Sequence, residues 1–206
     1  MAEDLDHIHH FEAGSDPTTL LLLHGTGGDE HDLVPLGRML HPTANLLSPR
    51  GKVLEGGMPR FFRRLAMGVF DVDDLKARAD DLLTFVDRAA TSYGFDRSRV
   101  VVLGYSNGAN IAAGMLLSTD RPFAGAALLH AMVPFETDMR PDLSGLRVLL
   151  TGGRRDQMIA PASTEQLSEM LMSAGADVTL HWEPGGHELT HAEVEVVKGW
   201  LEKLAG

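Results

Sequence analysis

A serine flanked by two glycines is the feature of this 206-residue chain that points most clearly to chemistry. Four apolar residues, 100–103, lead into Gly104-Tyr-Ser106-Asn-Gly108, and a run of small residues typical of a helix follows at once. A Gly-x-Ser-x-Gly turn between a strand and a helix is a nucleophile elbow, which lifts a strained serine hydroxyl clear of the sheet edge. The pattern therefore predicts a nucleophilic Ser106. The alternative is a plain turn in which the serine only caps the helix.

A serine nucleophile needs a base, a group that orients the base, and donors for the oxyanion. The best candidate for the orienting group is Asp156, because it follows the carboxyl end of the strand predicted at 146–150. Open α/β sheets place their chemistry at that edge. Asp156 could instead cap the helix predicted to start near Pro161. Asp138 and Asp142 are weaker candidates because they precede the strand and so lie at its other end.

The histidine that best fits the base follows the last predicted strand, 178–182. His187 comes after a proline and two glycines and before the final helix, so its loop can place the ring over the serine. The chain order serine, aspartate, histidine is one that such sites use. His130 ends another predicted strand and could line the pocket, but it precedes the aspartate in the chain.

Residues 187–191 also match the zinc-protease pattern His-Glu-x-x-His. In that chemistry His187 and His191 would bind a metal from one helix face, with Glu188 as the base. The proline and glycines just before His187 place it at or before the helix start, and Val194 stands where the longer pattern needs glycine. We therefore expect no metal and no cofactor, with a zinc metallohydrolase as the minor alternative.

Donors for the oxyanion are predicted in the loop 24–28, a His-Gly-Thr-Gly-Gly sequence that follows the apolar strand 18–23. Such glycine-rich turns expose backbone N–H groups toward the serine. We expect the two donors to be the N–H groups of Thr26 and Asn107. The loop lacks the spacing and the lysine of nucleotide-binding loops, which argues against a nucleotide ligand.

The elements that must position these groups alternate between strand and helix. Further strands are predicted at 44–48 and 125–130, and an edge strand near 6–11 could pair antiparallel. An amphipathic helix is predicted at 73–90, where apolar residues recur at helical spacing. Such alternation predicts an α/β fold with a mostly parallel central sheet and helices on both faces.

Composition is that of one ordinary globular domain, 1–206. There is no cysteine, and the net charge of −11 argues against nucleic acid or an anionic membrane as a partner. No apolar run is long enough to span a membrane, and the acidic start does not resemble a signal peptide. We expect a cytoplasmic protein that acts on a small-molecule ester without inserting into a membrane, and a homodimer stays open.

The connection 49–72 is long for a compact domain, and such connections are often lids or binding loops. Its apolar side chains could wall an acyl or aryl pocket, or equally complete the core. Its basic residues, which include Lys52, Arg60, Arg63 and Arg64, could bind a carboxylate-bearing substrate, although surface ion pairs are the commoner role. The residues we assign to the substrate pocket are Arg50, Met58, Phe61, Phe62, Phe70, Met132 and Val133.

Together, the motifs at 24–28 and 104–108 with Asp156 and His187 resemble α/β-hydrolases of the phospholipase/carboxylesterase family, which includes acyl-protein thioesterases. The stretch 48–64 is similar to the bacterial branch linked to hydroquinone-responsive hydrolases. The resemblance covers nearly the whole chain. It implies an α/β-hydrolase fold with a minimal cap, and a metal-independent serine esterase acting on short acyl or aryl esters. Acyl-thioesterase or lysophospholipase-type activity stays open, because one fold hosts many specificities.

Overall fold

Strands and helices alternate along most of the chain. The computed structural model describes residues 5–120, 122–137 and 141–205. The strands are β1 His9–Glu12, β2 Thr19–Leu23, β3 Asn45–Pro49, β4 Val53–Glu55, β5 Met58–Arg60, β6 Arg64–Ala66, β7 Val69–Phe70, β8 Val100–Tyr105, β9 Gly125–Leu129, β10 Arg147–Gly153 and β11 Asp177–Glu183. The helices are α1 Val34–Leu40, α2 Val72–Tyr93, α3 Asn107–Ser118, α4 Pro161–Ser173 and α5 His191–Ala205.

Seven of these strands form one sheet in the order β1-β3-β2-β8-β9-β10-β11. All neighbours pair in parallel except β1, which pairs antiparallel with β3 at the edge. The predicted mostly parallel sheet and its antiparallel edge strand are therefore confirmed. After β2 the chain continues to one side of the sheet, and after β8 it continues to the other. The crevice between the carboxyl ends of these two strands is the switch point at which open α/β sheets bind ligands.

Each face of the sheet buries its own hydrophobic core, as alternating side chains of a strand must. In β2, Leu21 and Leu23 pack with residues of α2, α3 and α4, whereas Leu20 and Leu22 pack with residues of α1 and α5. Helices therefore cover both faces, as expected. None of the helices in the described part of the chain is both long and apolar enough to cross a membrane.

The amphipathic helix predicted at 73–90 extends slightly further at both ends, as α2. The side chain of Asp71 accepts a hydrogen bond from the N–H of Asp74, which satisfies a donor of the first turn. Gly94 ends the helix in the left-handed conformation, with φ of 75°. Asp71 and Gly94 both lie outside the range 73–90, over which the apolar residues recur at helical spacing.

The connection 49–72 is built as two small hairpins rather than as an irregular loop. β4 pairs with β5 across Gly56 and Gly57, and β6 pairs with β7 in the next segment. Gly56 and Gly57 have φ values of 58° and 85°, which suits the two-residue turn of a tight hairpin. Strands of two or three residues are too short to show alternation in sequence, so the pattern could not predict them.

Candidate active site

Ser106 lies in a sharp turn between β8 and α3. Its φ of 53° and ψ of −111° are outside the ordinary regions for a non-glycine residue. A Cβ at Gly104 would lie 2.5 Å from the carbonyl oxygen of Gly108, and one at Gly108 would lie 2.0 Å from that of Leu23. The turn therefore closes only with glycine at both positions. The Ser106 N–H donates to the carbonyl of Leu129 at 2.9 Å, which ties the turn to the neighbouring strand β9.

The structure brings together the three side chains singled out for nucleophilic chemistry. His187 Nε2 lies 2.8 Å from Ser106 Oγ, and His187 Nδ1 lies 2.6 Å from Asp156 Oδ2. The hydroxyl of Tyr105 donates to the carbonyl of His187 at 2.7 Å and holds the loop in place. The loops after β10 and β11 meet so closely that a Cβ at Gly153 would lie 1.9 Å from the carbonyl oxygen of Gly186.

Asp156 does not cap α4, which begins at Pro161 with Ala160 at the cap position. Its Oδ1 instead accepts the N–H groups of Met158 at 2.7 Å and Ile159 at 3.0 Å, which leaves Oδ2 for His187. Burial alone would raise the pKa of Asp156, but the hydrogen bonds from His187 and the two N–H groups outweigh it and lower that pKa.

The other acids considered from sequence have different positions. Asp142 lies before β10, at the opposite edge of the sheet, where its Oδ1 accepts the N–H of Ser144. Asp138 lies outside the described residues.

The residues of the zinc-protease pattern do not share a helix face. His191 is the first residue of α5, with a side chain that is 85% exposed, while His187 lies in the preceding loop. Among the described residues, the group compact enough to offer three ligand atoms to one ion is His130, Asp156 and His187, with those atoms within 4.8 Å of one another. Two of these side chains already bond each other.

A second histidine–carboxylate pair lies buried behind Asp156. His130 Nε2 is 3.2 Å from Glu193 Oε2, and His130 Nδ1 is 3.5 Å from Asp156 Oδ2. Thr151 Oγ1 donates to the other oxygen of Glu193 at 2.5 Å. Burial lowers the pKa of His130, but the hydrogen bond to Glu193 and the charges of both carboxylates outweigh it, so the pKa is raised. His130 is fully buried and does not line the pocket.

The loop 24–28 after β2 lies next to Ser106 and is firmly held. His24 Nε2 accepts the N–H of Gly51 at 3.0 Å, so its proton is on Nδ1, which lies 2.7 Å from the carbonyl oxygen of Gly25. Burial lowers the pKa of His24 and favours this neutral form. Gly27 donates to the carbonyl of Pro59 at 2.9 Å.

The two N–H groups that we expect to bind the oxyanion lack an acceptor for different reasons. In the described part of the chain no acceptor lies within reach of the Thr26 N–H. The Asn107 N–H lies in the first turn of α3, where a helix has no internal acceptor. The Asn107 side chain is otherwise engaged, because its Oδ1 accepts the N–H of Phe61 at 2.8 Å.

A small pocket with a volume of about 40 Å³ opens beside Ser106 and His187. Of the residues predicted for the site, Thr26, Asn107, Phe70 and Met132 also line it. The remaining members of its wall are Arg60, Arg64, Met67, Gly68, Asn110, Met158 and Ile159.

Five residues predicted for the substrate pocket lie elsewhere. Phe61 and Phe62 are buried in the core, 3% and 0% exposed, and Val133 packs against the same core. Met58 is 45% exposed, and Arg50 pairs with Glu30 at 2.8 Å. Hydrophobicity could not separate a buried aromatic from a pocket wall, since both exclude water.

The arrangement can be compared with known proteins. The pattern that defines the phospholipase/carboxylesterase family matches residues 11–205. The chain belongs to that family. It is 47% identical over 195 residues to the putative hydrolase MhqD of Bacillus subtilis strain 168, covering 95% of this chain and 98% of the relative.

Solved members of the family have the same architecture. The crystal structure of the Bacillus cereus carboxylesterase superposes with a TM-score of 0.95 at 47% identity, covering 98% of this chain and 96% of that one. The carboxylesterase from Mesorhizobium loti superposes with a TM-score of 0.92 at 31% identity, covering 97% and 96%. The predicted α/β-hydrolase fold and family are thus confirmed, and the chain is an enzyme of the carboxylic ester hydrolase class.

Proposed function

We propose that this chain is a serine carboxylesterase that works through an acyl-enzyme. The observation that carries the proposal is that the opposite ring nitrogens of His187 reach Ser106 and Asp156 at once, at 2.8 Å and 2.6 Å. An imidazole held in this way can take a proton from the serine while the carboxylate stabilises the imidazolium that forms. Asp156 suits this role because its lowered pKa keeps it ionised at neutral pH.

The reaction proceeds in two halves. Ser106 Oγ attacks the ester carbonyl carbon while its proton passes to His187 Nε2, and collapse of the tetrahedral intermediate breaks the bond to the alcohol oxygen, which takes that proton. Water then attacks the acyl-serine, gives a proton to His187, and releases the carboxylic acid as the proton returns to Ser106 Oγ. The N–H groups of Thr26 and Asn107 stabilise the oxyanion in both halves.

Short acyl and aryl esters fit the pocket best. A volume of about 40 Å³ is too small to enclose a long acyl chain. Each buried methylene contributes about 0.8 kcal/mol of binding, and a chain that outgrows the pocket gains nothing further. We therefore expect kcat/KM to peak with short acyl groups. A preference for palmitoyl over butyryl substrates, or for thioesters over matched esters, would instead favour the acyl-thioesterase alternative.

The decisive experiment replaces the nucleophile. Ser106→Ala should lower kcat by roughly 10⁶-fold, the loss expected when a serine nucleophile is removed from such a unit. A fluorophosphonate probe should label the wild type and not the variant. Ser98→Ala, on the opposite edge of the sheet, serves as the control and should keep both activity and labelling. Full activity of Ser106→Ala, with the label on another serine, would refute the assignment.

A further inference from the structure

Two arginines on the pocket wall share a single carboxylate. Arg64 Nε and Nη2 both donate to Glu55 Oε1, at 2.8 Å and 2.6 Å, and Arg60 Nε lies 3.2 Å from Glu55 Oε2. Arg60 is 3% exposed, which is unusual for arginine because burying a guanidinium is costly unless it is paired. Two positive charges on one negative charge leave the cluster of Arg60, Arg64 and Glu55 with a net charge of about +1.

The positive charge faces the pocket and is not neutralised there. Both arginines line the pocket, whereas Glu55 does not, and no aspartate or glutamate occurs among the described residues of its wall. Burial and the nearby Arg64 together lower the pKa of Arg60, so each cation already destabilises the other. An anion placed in the pocket would relieve that repulsion.

Unused hydrogen-bond donors accompany the charge. Arg60 Nη1 donates to Thr26 Oγ1 at 2.6 Å and its Nε to the carbonyl of Phe62 at 3.3 Å, while its Nη2 has no acceptor in the described part of the chain. Asn107 is 2% exposed, and its Nδ2 is buried without a partner among the described residues. A buried donor without an acceptor costs free energy, which an acceptor on the ligand would recover.

The position of the arginines indicates which end of an ester they would contact. The alcohol oxygen must lie near His187 Nε2 to receive its proton, and the carbonyl oxygen must lie near the Thr26 N–H. Arg60 donates to the side chain of Thr26, so its guanidinium lies beside the residue that is expected to bind the carbonyl oxygen. A guanidinium there is placed to bind a group carried by the acyl part.

We propose that the enzyme prefers esters whose short acyl part ends in a second carboxylate, that is, half-esters of small dicarboxylic acids, and that Arg60 and Arg64 bind that carboxylate. The inference rests on the proposed esterase function. It differs from a purely structural role, in which the three charged residues only join the two hairpins of the connection 49–72.

The test compares two esters of equal shape, monomethyl succinate and methyl 4-methylpentanoate, in which a carboxylate replaces an isopropyl group. The hydrolysis of each ester is measured through the proton that it releases. We expect the wild type to favour the charged ester by about tenfold or more in kcat/KM, the discrimination that a charge-assisted hydrogen bond supplies. Arg64→Gln should abolish most of that preference, and Arg64→Lys, which keeps the charge, should retain part of it.

Arg63→Gln is the matched control, because its side chain on the neighbouring position is 62% exposed and pairs with Asp71 at the surface. This variant should keep the wild-type preference. If Arg64→Gln lowers kcat/KM equally for both esters, the ratio of the two values stays unchanged. That result would mean that the arginines are structural only and would overturn the proposal. Acetoxyacetate is an acetyl ester that carries its carboxylate on the alcohol part. A preference of the wild type for acetoxyacetate over monomethyl succinate would overturn the assignment to the acyl side.

A binding measurement separates this inference from the esterase proposal. Calorimetry on Ser106→Ala should show monomethyl succinate binding about tenfold more tightly than the neutral ester. If the wild type hydrolyses neither ester but this difference is present, the esterase proposal fails and the carboxylate site stands. If the wild type hydrolyses both esters equally and the variant binds them equally, the esterase stands and the carboxylate site fails.

Discussion

Histidines lie against carboxylates at two neighbouring places in this enzyme, and the two pairs differ in access. The ring of His187 is partly exposed, lies on a loop, and extends from Asp156 to the hydroxyl of Ser106. His130 is fully buried, lies at the end of β9, and has a carboxylate facing each ring nitrogen, Glu193 on one side and Asp156 on the other. The centroids of the two rings are only 5.2 Å apart.

The difference shows that the role of a histidine–carboxylate pair depends on which group the second ring nitrogen of the histidine contacts. His187 can pass a proton to and from Ser106 because one nitrogen faces the pocket. His130 has no such outlet, and both carboxylates favour its charged form behind Asp156. Its backbone also has a positive φ, 54°, which among the described non-glycine residues it shares with Ser106. Strain of this kind persists only where the surroundings enforce it.

The largest effect is expected for the accessible histidine. His187→Ala should lower kcat by roughly 10⁶-fold, because the serine loses its base. His191→Ala, which removes an exposed histidine at the start of α5, should leave kcat within about twofold, the range of ordinary surface changes. Steady-state hydrolysis of a short aryl ester gives kcat for both variants. A chelator should leave the activity of the wild type unchanged. Equal loss in the two variants, with recovery on adding zinc, would favour the metallohydrolase alternative.

Sequence was sufficient for the parts of this site that follow from strand ends. Gly104 and Gly108 flank the serine because the backbone leaves no space for a Cβ at either position. The two glycines therefore indicate the sharp turn directly in the sequence. Asp156 follows a strand with a run of apolar residues, and His187 follows a strand in which apolar and polar residues alternate. Parallel strands bring their carboxyl ends to one edge, so local patterns predict a shared location.

The wall of the pocket could not be predicted in the same way. Arg60 and Arg64 line it, while Phe61 and Phe62 between them turn into the core. Phe61 and Phe62 lie in the bend between β5 and β6, where no repeating pattern of residues indicates the direction of a side chain. The role of His130 was hidden for a related reason, since Glu193 lies 63 residues away in the chain.

A smaller effect is expected for the buried histidine. His130→Gln should lower kcat/KM by about tenfold, because Asp156 loses a neighbouring imidazole, 3.5 Å from its Oδ2, that helps to hold the carboxylate in place. The acid limb of the pH–rate profile should move to higher pH, because the loss of a positive charge beside the Asp156–His187 pair makes it easier for the pair to take up a proton. A purely structural role would reduce the melting temperature and leave the profile unmoved. A loss as large as that of His187→Ala would contradict the different roles of the two histidines.

The smallest change in activity, a few-fold, is expected for Glu193→Gln, whose main effect is on stability. Glu193 raises the pKa of His130 above its unfolded value, which is near 6.5. A raised pKa stabilises the fold fully below the unfolded pKa, and that contribution is lost as pH rises through the folded pKa.

The groups that face His130 are Glu193 from α5, Asp156 from the loop after β10, and the more distant rings of Tyr105 and His187, and the carboxylates of Glu183 and Glu188 also interact with its charge. Burial, together with the negative charges of Glu193 and Asp156, raises the pKa of Tyr105 to about 12, so this phenol stays neutral throughout the range to be measured. Urea unfolding should therefore show Glu193→Gln destabilised by about 3 kcal/mol at pH 6, the cost of removing one partner of a buried pair. The difference from wild type should shrink as the pH rises through the raised pKa of His130, where the ring loses its proton and no longer pairs as a cation with Glu193. A difference that is already small at pH 6 and does not fall as the pH rises would mean that His130 is neutral in the folded protein, and the positive charge behind Asp156 would then be wrong.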